Sequence, residues 1–373
     1  MKLAILGALL LTFSLAMGFT AFLVPPLIAL CQRKNWLVPP APRRVHRVPM
    51  PKVGGLAIIG GFGAALLLSL LLTQLIPALR RSPYEDLRLA LMGAGILLVA
   101  AVSFVDDLRN LSPALRLPIH FGAALLAVGP YLWDHTLYPD ALGLPTEARG
   151  IILTAFNFPF IHQFHLHNLS PWLAIFATLI WIVGLQNMLN WVDGLDGLAT
   201  GITLIAALVL ALHALQLGQW TIALLPLALA GACAGFLPFN FHPARIFMGD
   251  VGAMTLGYIL AVSAIIGGAK LATALLVLGV PVIDMTWLII WRTWHRRSVA
   301  AAGRDNLHIR LLDLGFSQRQ VVLFYYLLSA AFGLIALIHQ MTPLLKLAAL
   351  VLLGTLVLSV LAYATKKQKT PKP

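Results

Sequence analysis

Long apolar stretches separated by short polar loops run along almost the whole chain. The stretches long enough to span a bilayer are read at residues 3–30, 53–78, 87–105, 115–133, 171–190, 198–217, 220–241, 251–268, 271–292, 320–338 and 344–363. A helix of about 20 apolar residues crosses the hydrocarbon core of a membrane. The pattern therefore predicts an all-α polytopic membrane protein with about 10 to 11 transmembrane helices, forming one domain over residues 1–373. The first apolar run is longer than a signal-peptide core, so we expect it to be retained.

Composition excludes a water-soluble domain of this length. Hydrophobic residues make up 60% of the chain, charged residues only 10%, and the mean hydropathy is +0.89. The net charge of +13 comes from short basic runs between apolar segments. This distribution favours membrane lipid and anionic substrates as partners, and no nucleic acid. Cys31 and Cys233 lack the spacing of a disulfide framework or a zinc site.

The distribution of lysine and arginine predicts an orientation. If the N-terminus is outside, 19 of the 26 basic residues fall on the cytoplasmic side, as the positive-inside rule requires. Arg80, Arg81 and Arg88 are the exception. We expect a multi-pass protein of the plasma or inner membrane whose C-terminus is cytoplasmic, with residues 364–373 as a basic tail.

One loop, residues 134–170, differs from the others because it is long and extracytoplasmic in this topology. Phe156, Phe158 and Phe160 alternate with other residues, which predicts one short exposed hairpin. The loop also holds His162, His165 and His167. Without an acidic partner nearby, a polar strand face is the better interpretation than a metal site.

Polar residues cluster at four helix ends that all emerge on the predicted cytoplasmic side. The clusters are Asp106 with Asp107, then Asn187, Asn190, Asp193 and Asp196, then residues 240–250 and residues 292–319. Polar groups near hydrocarbon are costly and mark functional sites by default. Several carboxylates beside arginines suit a hard divalent cation bound with phosphates, and phosphoryl transfer needs little more than metal, cations and positioning.

Two further features have a structural interpretation beside a functional one. Gly54 and Gly55 permit close backbone approach, which serves either helix packing or binding of an anion at the helix N-terminus. Asp284, inside the ninth apolar stretch, favours a structural ion pair with an arginine across the bundle.

Four strings carry a resemblance, in order along the chain. They are HRVPMPKVGG at 46–55, FVDDL at 104–108, NMLNWVDGLDGLA at 187–199 and PARIFMGD at 243–250. They resemble the polyprenyl-phosphate N-acetylhexosamine-1-phosphate transferases, glycosyltransferase family 4, and within it the bacterial undecaprenyl-phosphate GlcNAc-1-phosphate transferases. The chain departs from the family in two places: residues 306–312 keep one histidine where the family has several, and Val251 and Ala253 replace serines.

The resemblance implies a role for each matched residue. Asp250 and Asp107 would bind Mg²⁺, with Mn²⁺ as the alternative ion, and Asp106 would orient the polyprenyl phosphate. Asn187, Asn190, Asp193 and Asp196 would contact the nucleotide end and the transferred phosphate, with Asp193 counted as catalytic, and Phe247 would stack on uracil. Arg47, Lys52, His308 and Arg310 would contact the diphosphate or the sugar. The rival interpretations are a helix cap for Asp250, a salt bridge to Arg109 for the aspartate pair, and ordinary membrane-interface bias for Phe247 and the basic residues.

The expected reaction is transfer of N-acetylhexosamine 1-phosphate, with GlcNAc as the favoured sugar, from a UDP-sugar to a polyprenyl phosphate. It would release UMP and start a cell-envelope glycan, and a homodimer is compatible with it. The alternative enzyme is the phospho-MurNAc-pentapeptide translocase of peptidoglycan synthesis, whose threonine-rich first loop and histidine run are absent here. A secondary transporter is the alternative from another class, but transporters place polar residues at the midplane of two related halves. A prenyltransferase is disfavoured because Asp106-Asp107-Leu108-Arg109-Asn110 lacks a third aspartate.

Overall fold

The structure is a computed structural model that describes residues 2–40, 48–139, 145–158, 161–266, 271–298 and 306–338, together with 345, 348–349, 351–357 and 359. Its helices are α1 Lys2–Lys34, α2 Gly55–Leu75, α3 Pro83–Arg109, α4 Pro113–Val128, α5 Leu166–Leu169, α6 Pro171–Val192, α7 Leu198–Gln216, α8 Trp220–Asn240, α9 Gly249–Ile266, α10 Leu271–Val277, α11 Gly279–Trp294, α12 Leu307–Asp313 and α13 Gln318–Leu337.

The described part of the chain confirms the predicted all-α membrane architecture. Within it, nine helices are long and apolar enough to cross a membrane, or ten if a bent pair counts as one span. Most of the helix expected at 344–363, and all of the tail at 364–373, lie outside the described residues.

The bent pair is α10 and α11, which meet at an angle of 81°. The hydrophobic pattern predicts one continuous helix over 271–292, and that prediction is wrong. Pro281 has no N–H to donate to the carbonyl of Val277, and Gly279 weakens the helix at the same place, so the chain turns at Leu278.

Local signals define the ends of two long helices. Ser82 begins α3 in a capping box with Glu85, and Ser317 begins α13 in the same way with Gln320. Asn110 ends α3 in the left-handed conformation, with φ 51°.

Helix α9 is the centre of the bundle. In the apolar segment of α9 that could cross the membrane, 83% of the residues are buried inside the protein. The corresponding value for α1 is 33%. It packs against α3 and α6 most extensively, and also against α2, α7 and α8. Helix α9 begins at Gly249, and its first turn lies beside the ends of α3 and α6.

At the opposite end of the bundle the loop after α4 forms two small sheets where the sequence predicts one hairpin. Strands β3 Leu137–Pro139 and β4 Pro145–Ala148 pair antiparallel, as do β5 Ala155–Phe158 and β6 Ile161–His165. Strands β1 Leu37–Val38 and β2 Met50–Pro51 form a third pair near the start of α2.

Two of the three arginines that depart from the positive-inside rule, Arg81 and Arg88, have partners at this hairpin end, whereas Arg80 is exposed. Arg88 lies 3.8 Å from Glu147 and donates to the carbonyl of Ala148 at 3.0 Å, and Arg81 donates to Ser69 Oγ at 3.0 Å. Burial lowers the pKa of Arg81. Arg81 and Arg88 stabilise the local fold through these contacts. This structural role explains why their positions do not follow the positive-inside rule.

The three histidines of the loop do not share one environment. His167 lies on α5, and its Nδ1 hydrogen-bonds the hydroxyl of Tyr131, while His165 ends β6. The side chain of His162 lies outside the described part.

Candidate functional site

Four helix ends meet at the end of the bundle opposite the two hairpins. The last turn of α3, the first turn of α4, the end of α6 and the first turn of α9 bring together Asp106, Asp107, Arg116, Asn190, Asp193 and Asp250. These residues are up to 144 positions apart in the sequence. The clustering expected from the helix ends is therefore a feature of the structure.

Asp107 forms the cap of α9. Its two carboxylate oxygens accept the backbone N–H groups of Asp250, at 3.1 Å, and of Val251, at 3.0 Å. A carboxylate at a helix N-terminus is stabilised by the unpaired N–H groups there and by the helix dipole. Gly249 has φ +69°, and a Cβ atom there would lie 2.6 Å from Asp107 Oδ2, so glycine is required. Lys52 adds a nearby positive charge to Asp107.

The Gly54–Gly55 pair packs against the same first turn of α9. Gly54 N–H donates to Phe247 O at 2.9 Å and Gly55 N–H to Met248 O at 2.8 Å. The Cα of Gly55 also lies against the backbone of Gly252, where a side chain has no room. Both N–H groups are thus used by the protein, which supports the packing interpretation and not anion binding at these two amides.

Arg116 joins two of the carboxylates. Its Nη1 contacts Asp106 Oδ2 and donates to Asp250 Oδ2 at 3.0 Å. Asp106 is 4% exposed, and its other oxygen accepts the N–H of Leu111 at 2.6 Å. Asn190 Nδ2 donates to Asp250 Oδ1 at 2.7 Å. The salt bridge considered for the aspartate pair is therefore made by Arg116, and Arg109 is exposed.

Sequence reasoning missed Arg116, although one signal was available. The residue lies in the first turn of α4, where the helix dipole disfavours a cation. A basic residue at that position indicates an acidic partner elsewhere in the fold, and Asp106 and Asp250 are those partners.

Asp193 follows α6 and faces the other acids. Burial raises its pKa well above the ordinary value, and the nearby carboxylates of Asp250, Asp107 and Asp196 raise that pKa further. Among the described residues Asp193 forms no ion pair. A buried carboxylate surrounded by like charges is an arrangement that a divalent cation relieves.

The donor set fits Mg²⁺ bound together with substrate phosphates. Mg²⁺ is held by one or two carboxylates, with water and phosphate oxygens completing its shell. Within the ranges described, no three His, Cys, Asp or Glu side chains converge as ligands. Asp193 forms no ion pair among the described residues, and the side chain of Asp250 is 33% exposed, although its oxygens accept Asn190 Nδ2–H and Arg116 Nη1–H. Asp107 is 8% exposed and both of its oxygens accept helix N–H groups, so it is the less accessible metal ligand.

Asp196 and Asn240 anchor the loop that leads to Asp250. Asp196 Oδ2 accepts His242 Nδ1–H at 2.8 Å and the N–H of Ala244 at 3.1 Å. Asn240 Nδ2 donates to Ile246 O at 3.0 Å. The loop that carries the half-buried Phe247 is therefore held by Asp196, in the turn between α6 and α7, and by Asn240 at the end of α8.

The remaining predicted residues lie around this centre. Asn187, one turn before Asn190, donates to its own helix at Val183 O, 2.8 Å away. His308 and Arg310 lie on α12 and are 1% and 4% exposed. Burial lowers the pKa of His308 to about 4, and its ring lies against Gly194. Arg47 lies outside the described residues.

Asp284 caps the N-terminus of α12, as Asp107 caps the N-terminus of α9. Both of its oxygens accept the N–H of Leu307, at 2.9 and 3.0 Å, and His308 Nδ1 lies 4.0 Å away. Arg310 contributes a favourable charge. Asp284 therefore caps α12, with the charge of Arg310 nearby, and holds this helix beside the turn after Asp193.

Comparison with known proteins agrees with this picture. Residues 89–268 match the model of glycosyl transferase family 4. The chain is 32% identical over 306 residues to a probable undecaprenyl-phosphate N-acetylglucosaminyl 1-phosphate transferase of Bacillus subtilis, covering 80% of this chain and 76% of that protein. It is 33% identical over 334 residues to a decaprenyl-phosphate N-acetylglucosaminephosphotransferase of Mycobacterium tuberculosis, covering 83% and 76%. A phospho-N-acetylmuramoyl-pentapeptide-transferase of Desulforudis audaxviator is 29% identical over 303 residues, covering 79% and 86%.

Proposed function

The chain belongs to glycosyl transferase family 4, and from that premise we propose that it transfers N-acetylglucosamine 1-phosphate from UDP-GlcNAc to a polyprenyl phosphate such as undecaprenyl phosphate. The products are polyprenyl-diphosphate-GlcNAc and UMP. In this role the protein begins a cell-envelope glycan.

One observation carries the proposal: a group of carboxylates bridged by Arg116 lies at one end of a membrane bundle. Asp106 and Asp250 share that guanidinium, and Asp193 adds a third acid. Phosphoryl transfer requires cations around a diphosphate and an aligned acceptor, and little covalent help from the protein. A site at a helix end, level with lipid headgroups, gives a lipid phosphate and a soluble nucleotide access to the same centre.

The chain's own residues align the reactants. An oxygen of the lipid phosphate attacks the β-phosphorus of the UDP-sugar, and the bond from that phosphorus to the oxygen bridging it to UMP breaks. Arg116 uses only Nη1 within the described structure, so its Nε and Nη2 are available to a substrate phosphate. Asp106 fixes that guanidinium. Because a phosphate monoester is already anionic at neutral pH, orientation is the main task and no strong base is needed.

Asp250 and Asp193 would hold Mg²⁺, and the bound ion would neutralise the charge of the diphosphate. Asp107 keeps the first turn of α9, and with it Asp250, in position. Asp196 positions the loop of Phe247, whose ring stacks on the uracil base, while Asn187 and Asn190 line the nucleotide side. Lys52, His308, Arg310 and Arg47 contact the diphosphate or the sugar.

Orientation belongs to the same proposal. The site end faces the cytoplasm of the plasma or inner membrane, with the N-terminus outside, because soluble UDP-sugars are cytoplasmic and most basic loop residues lie on that side.

The alternative donor is UDP-MurNAc-pentapeptide, as used by the more distant relatives. Two observations favour the simple sugar: the GlcNAc enzymes are the more similar relatives, and residues 306–312 hold one histidine. A transporter is disfavoured because the polar groups gather at one end of the bundle.

The test is release of UMP by purified protein with undecaprenyl phosphate and Mg²⁺, offering UDP-GlcNAc, UDP-GalNAc and UDP-MurNAc-pentapeptide in parallel. Asp250→Ala should abolish turnover, while Asp86→Asn, on the exposed opposite end of α3, should leave it unchanged. Turnover with UDP-GlcNAc supports the proposal. Turnover with UDP-MurNAc-pentapeptide alone would favour the alternative enzyme over the proposed one. Absence of UMP release with every donor would reject the proposed function.

A further inference from the structure

A second layer of polar side chains lies inside the bundle, beneath the carboxylates. Four helices contribute one residue each: Ser103 of α3, His120 of α4, Gln186 of α6 and Thr255 of α9, which are 2%, 2%, 0% and 1% exposed. Within the described structure Ser103 Oγ, His120 Nδ1 and Thr255 Oγ1 lack a hydrogen-bonding partner, and the amide of Gln186 has only the His120 ring beside it. A buried polar group that stays unsatisfied destabilises the folded state.

The layer is aligned with the site above it. Three of its members stand four residues from a site residue on the same helix: Ser103 from Asp107, His120 from Arg116 and Gln186 from Asn190. Thr255 stands four residues from Val251, whose backbone N–H donates to Asp107. Residues four apart lie on one face of a helix, one turn apart. The four side chains therefore lie on the faces that meet at the site, one turn deeper in the membrane.

The two hydroxyls of the layer differ from several other buried helical hydroxyls in this protein. Thr178, Thr203 and Ser263 each donate to the carbonyl four residues earlier, at 2.7 to 2.8 Å. Ser103 and Thr255 do not use that carbonyl, which is the usual partner of a buried helical hydroxyl. Their hydrogen-bonding capacity remains for a partner between the helices.

His120 is the ionisable member of the layer. It faces Gln186, and the charges of Arg116 and Asp106 act on it from above. An ionisable side chain within a membrane-spanning helix marks a functional position by default. Four neutral groups of mixed donor and acceptor character match water, which donates, accepts and serves about three partners at once.

We propose that Ser103, His120, Gln186 and Thr255 form a buried water-binding site one helical turn inside the carboxylate cluster, and that His120 is a positioning residue that holds Arg116 in place through it. The bound water ties α4 to α3, α6 and α9. Arg116 then reaches Asp106 and Asp250 together.

Millisecond X-ray hydroxyl-radical footprinting of the full chain tests the water site directly, because radicals form on bound water and label buried neighbours. His120 should be oxidised in the wild type and about fivefold less in Ser103→Ala/Thr255→Val. Met92, buried on α3 outside the layer, should not change. Ser103→Ala alone serves if the double variant fails to fold. Absent labelling of His120, or equal labelling in the variant, overturns the proposal.

Kinetics test the positioning role, and this part rests on the proposed function. His120→Leu should lower kcat about 100-fold, whereas His120→Gln, which keeps a hydrogen-bonding group, should stay within about tenfold of the wild type. His213→Leu, a membrane histidine bonded to Thr273 on other helices, should leave kcat unchanged. Equal kcat for His120→Leu and the wild type would refute the positioning role. An inactive wild type with labelled His120 would reject the proposed function and leave the water site standing.

Discussion

Asp107 accepts the backbone N–H of Asp250 at 3.1 Å, so a residue in the last turn of α3 fixes the first turn of α9. The two acids of the family motifs therefore have different structural tasks. Asp107 holds the helix terminus, and Asp250 presents its carboxylate to Arg116 and Asn190.

Gly249→Ala should damage this junction. Alanine is strained at φ +69°, and its Cβ would lie 2.6 Å from Asp107 Oδ2. We expect the free energy of unfolding to fall by about 1 to 3 kcal/mol and kcat to fall about 100-fold, as measured by thermal unfolding and UMP release. Gly93→Ala is the control because no atom lies within 4 Å of the new methyl group. Equal losses in both variants would show that the junction is unimportant.

Arg116→Gln should remove the shared cation of Asp106 and Asp250. Two carboxylates would then face each other without compensation, and the lipid phosphate would lose a donor. We expect kcat to fall about 100- to 1,000-fold, with partial activity in Arg116→Lys, because an ammonium lacks the fork of donors. Arg109→Gln, exposed and seven residues away, should stay within about twofold. An Arg116→Gln variant with more than about a tenth of normal kcat is incompatible with this role.

His242→Ala should weaken binding of the nucleotide. It removes the donor at 2.8 Å that ties the loop of Phe247 to Asp196. A lost hydrogen bond of this kind raises the KM for the UDP-sugar about tenfold while kcat changes little. His242→Asn places an amide nitrogen where Nδ1 lies and should recover most of the affinity. If KM is the same in all three proteins, Asp196 does not position the nucleotide site.

Stability of the substrate-free protein should depend on pH through His308. Burial lowers the pKa of His308 from 6.5 to about 4, so between these values the unfolded chain binds a proton that the folded protein does not. The free energy of unfolding therefore falls as the pH drops from 6.5 towards 4, by up to about 3 kcal/mol, and is unaffected above pH 7. Thermal unfolding of the wild type and His308→Gln should diverge over this range. Parallel curves would contradict the buried neutral state of His308.

Hydropathy and helix-end polarity predict much of this structure. The spans follow from the length of apolar runs, and the clustering of Asp106, Asn190 and Asp250 follows from their placement at helix ends on one predicted side. Both inferences use only the cost of polar groups in lipid, a local property of the sequence.

Other features depend on contacts that no local pattern contains. The 81° break before α11 is the exception, because Gly279 and Pro281 are a local signal that the length of the apolar run outweighed. In the sequence, Arg116 cannot be distinguished from an ordinary basic loop residue. Its partner Asp250 lies 134 positions later, and only the folded structure brings the two together. The capping role of Asp107 likewise requires knowing where α9 begins.

The most direct measurement of the central claim uses UDP-GlcNAc with a radioactive β-phosphate, incubated with the protein, undecaprenyl phosphate and Mg²⁺, and followed by extraction of lipid. Transfer of sugar 1-phosphate predicts that the label enters the organic phase and that the nucleotide product is UMP. Label that stays in the aqueous phase as UDP while sugar enters the lipid would show transfer of the sugar alone. That result would contradict the proposed reaction.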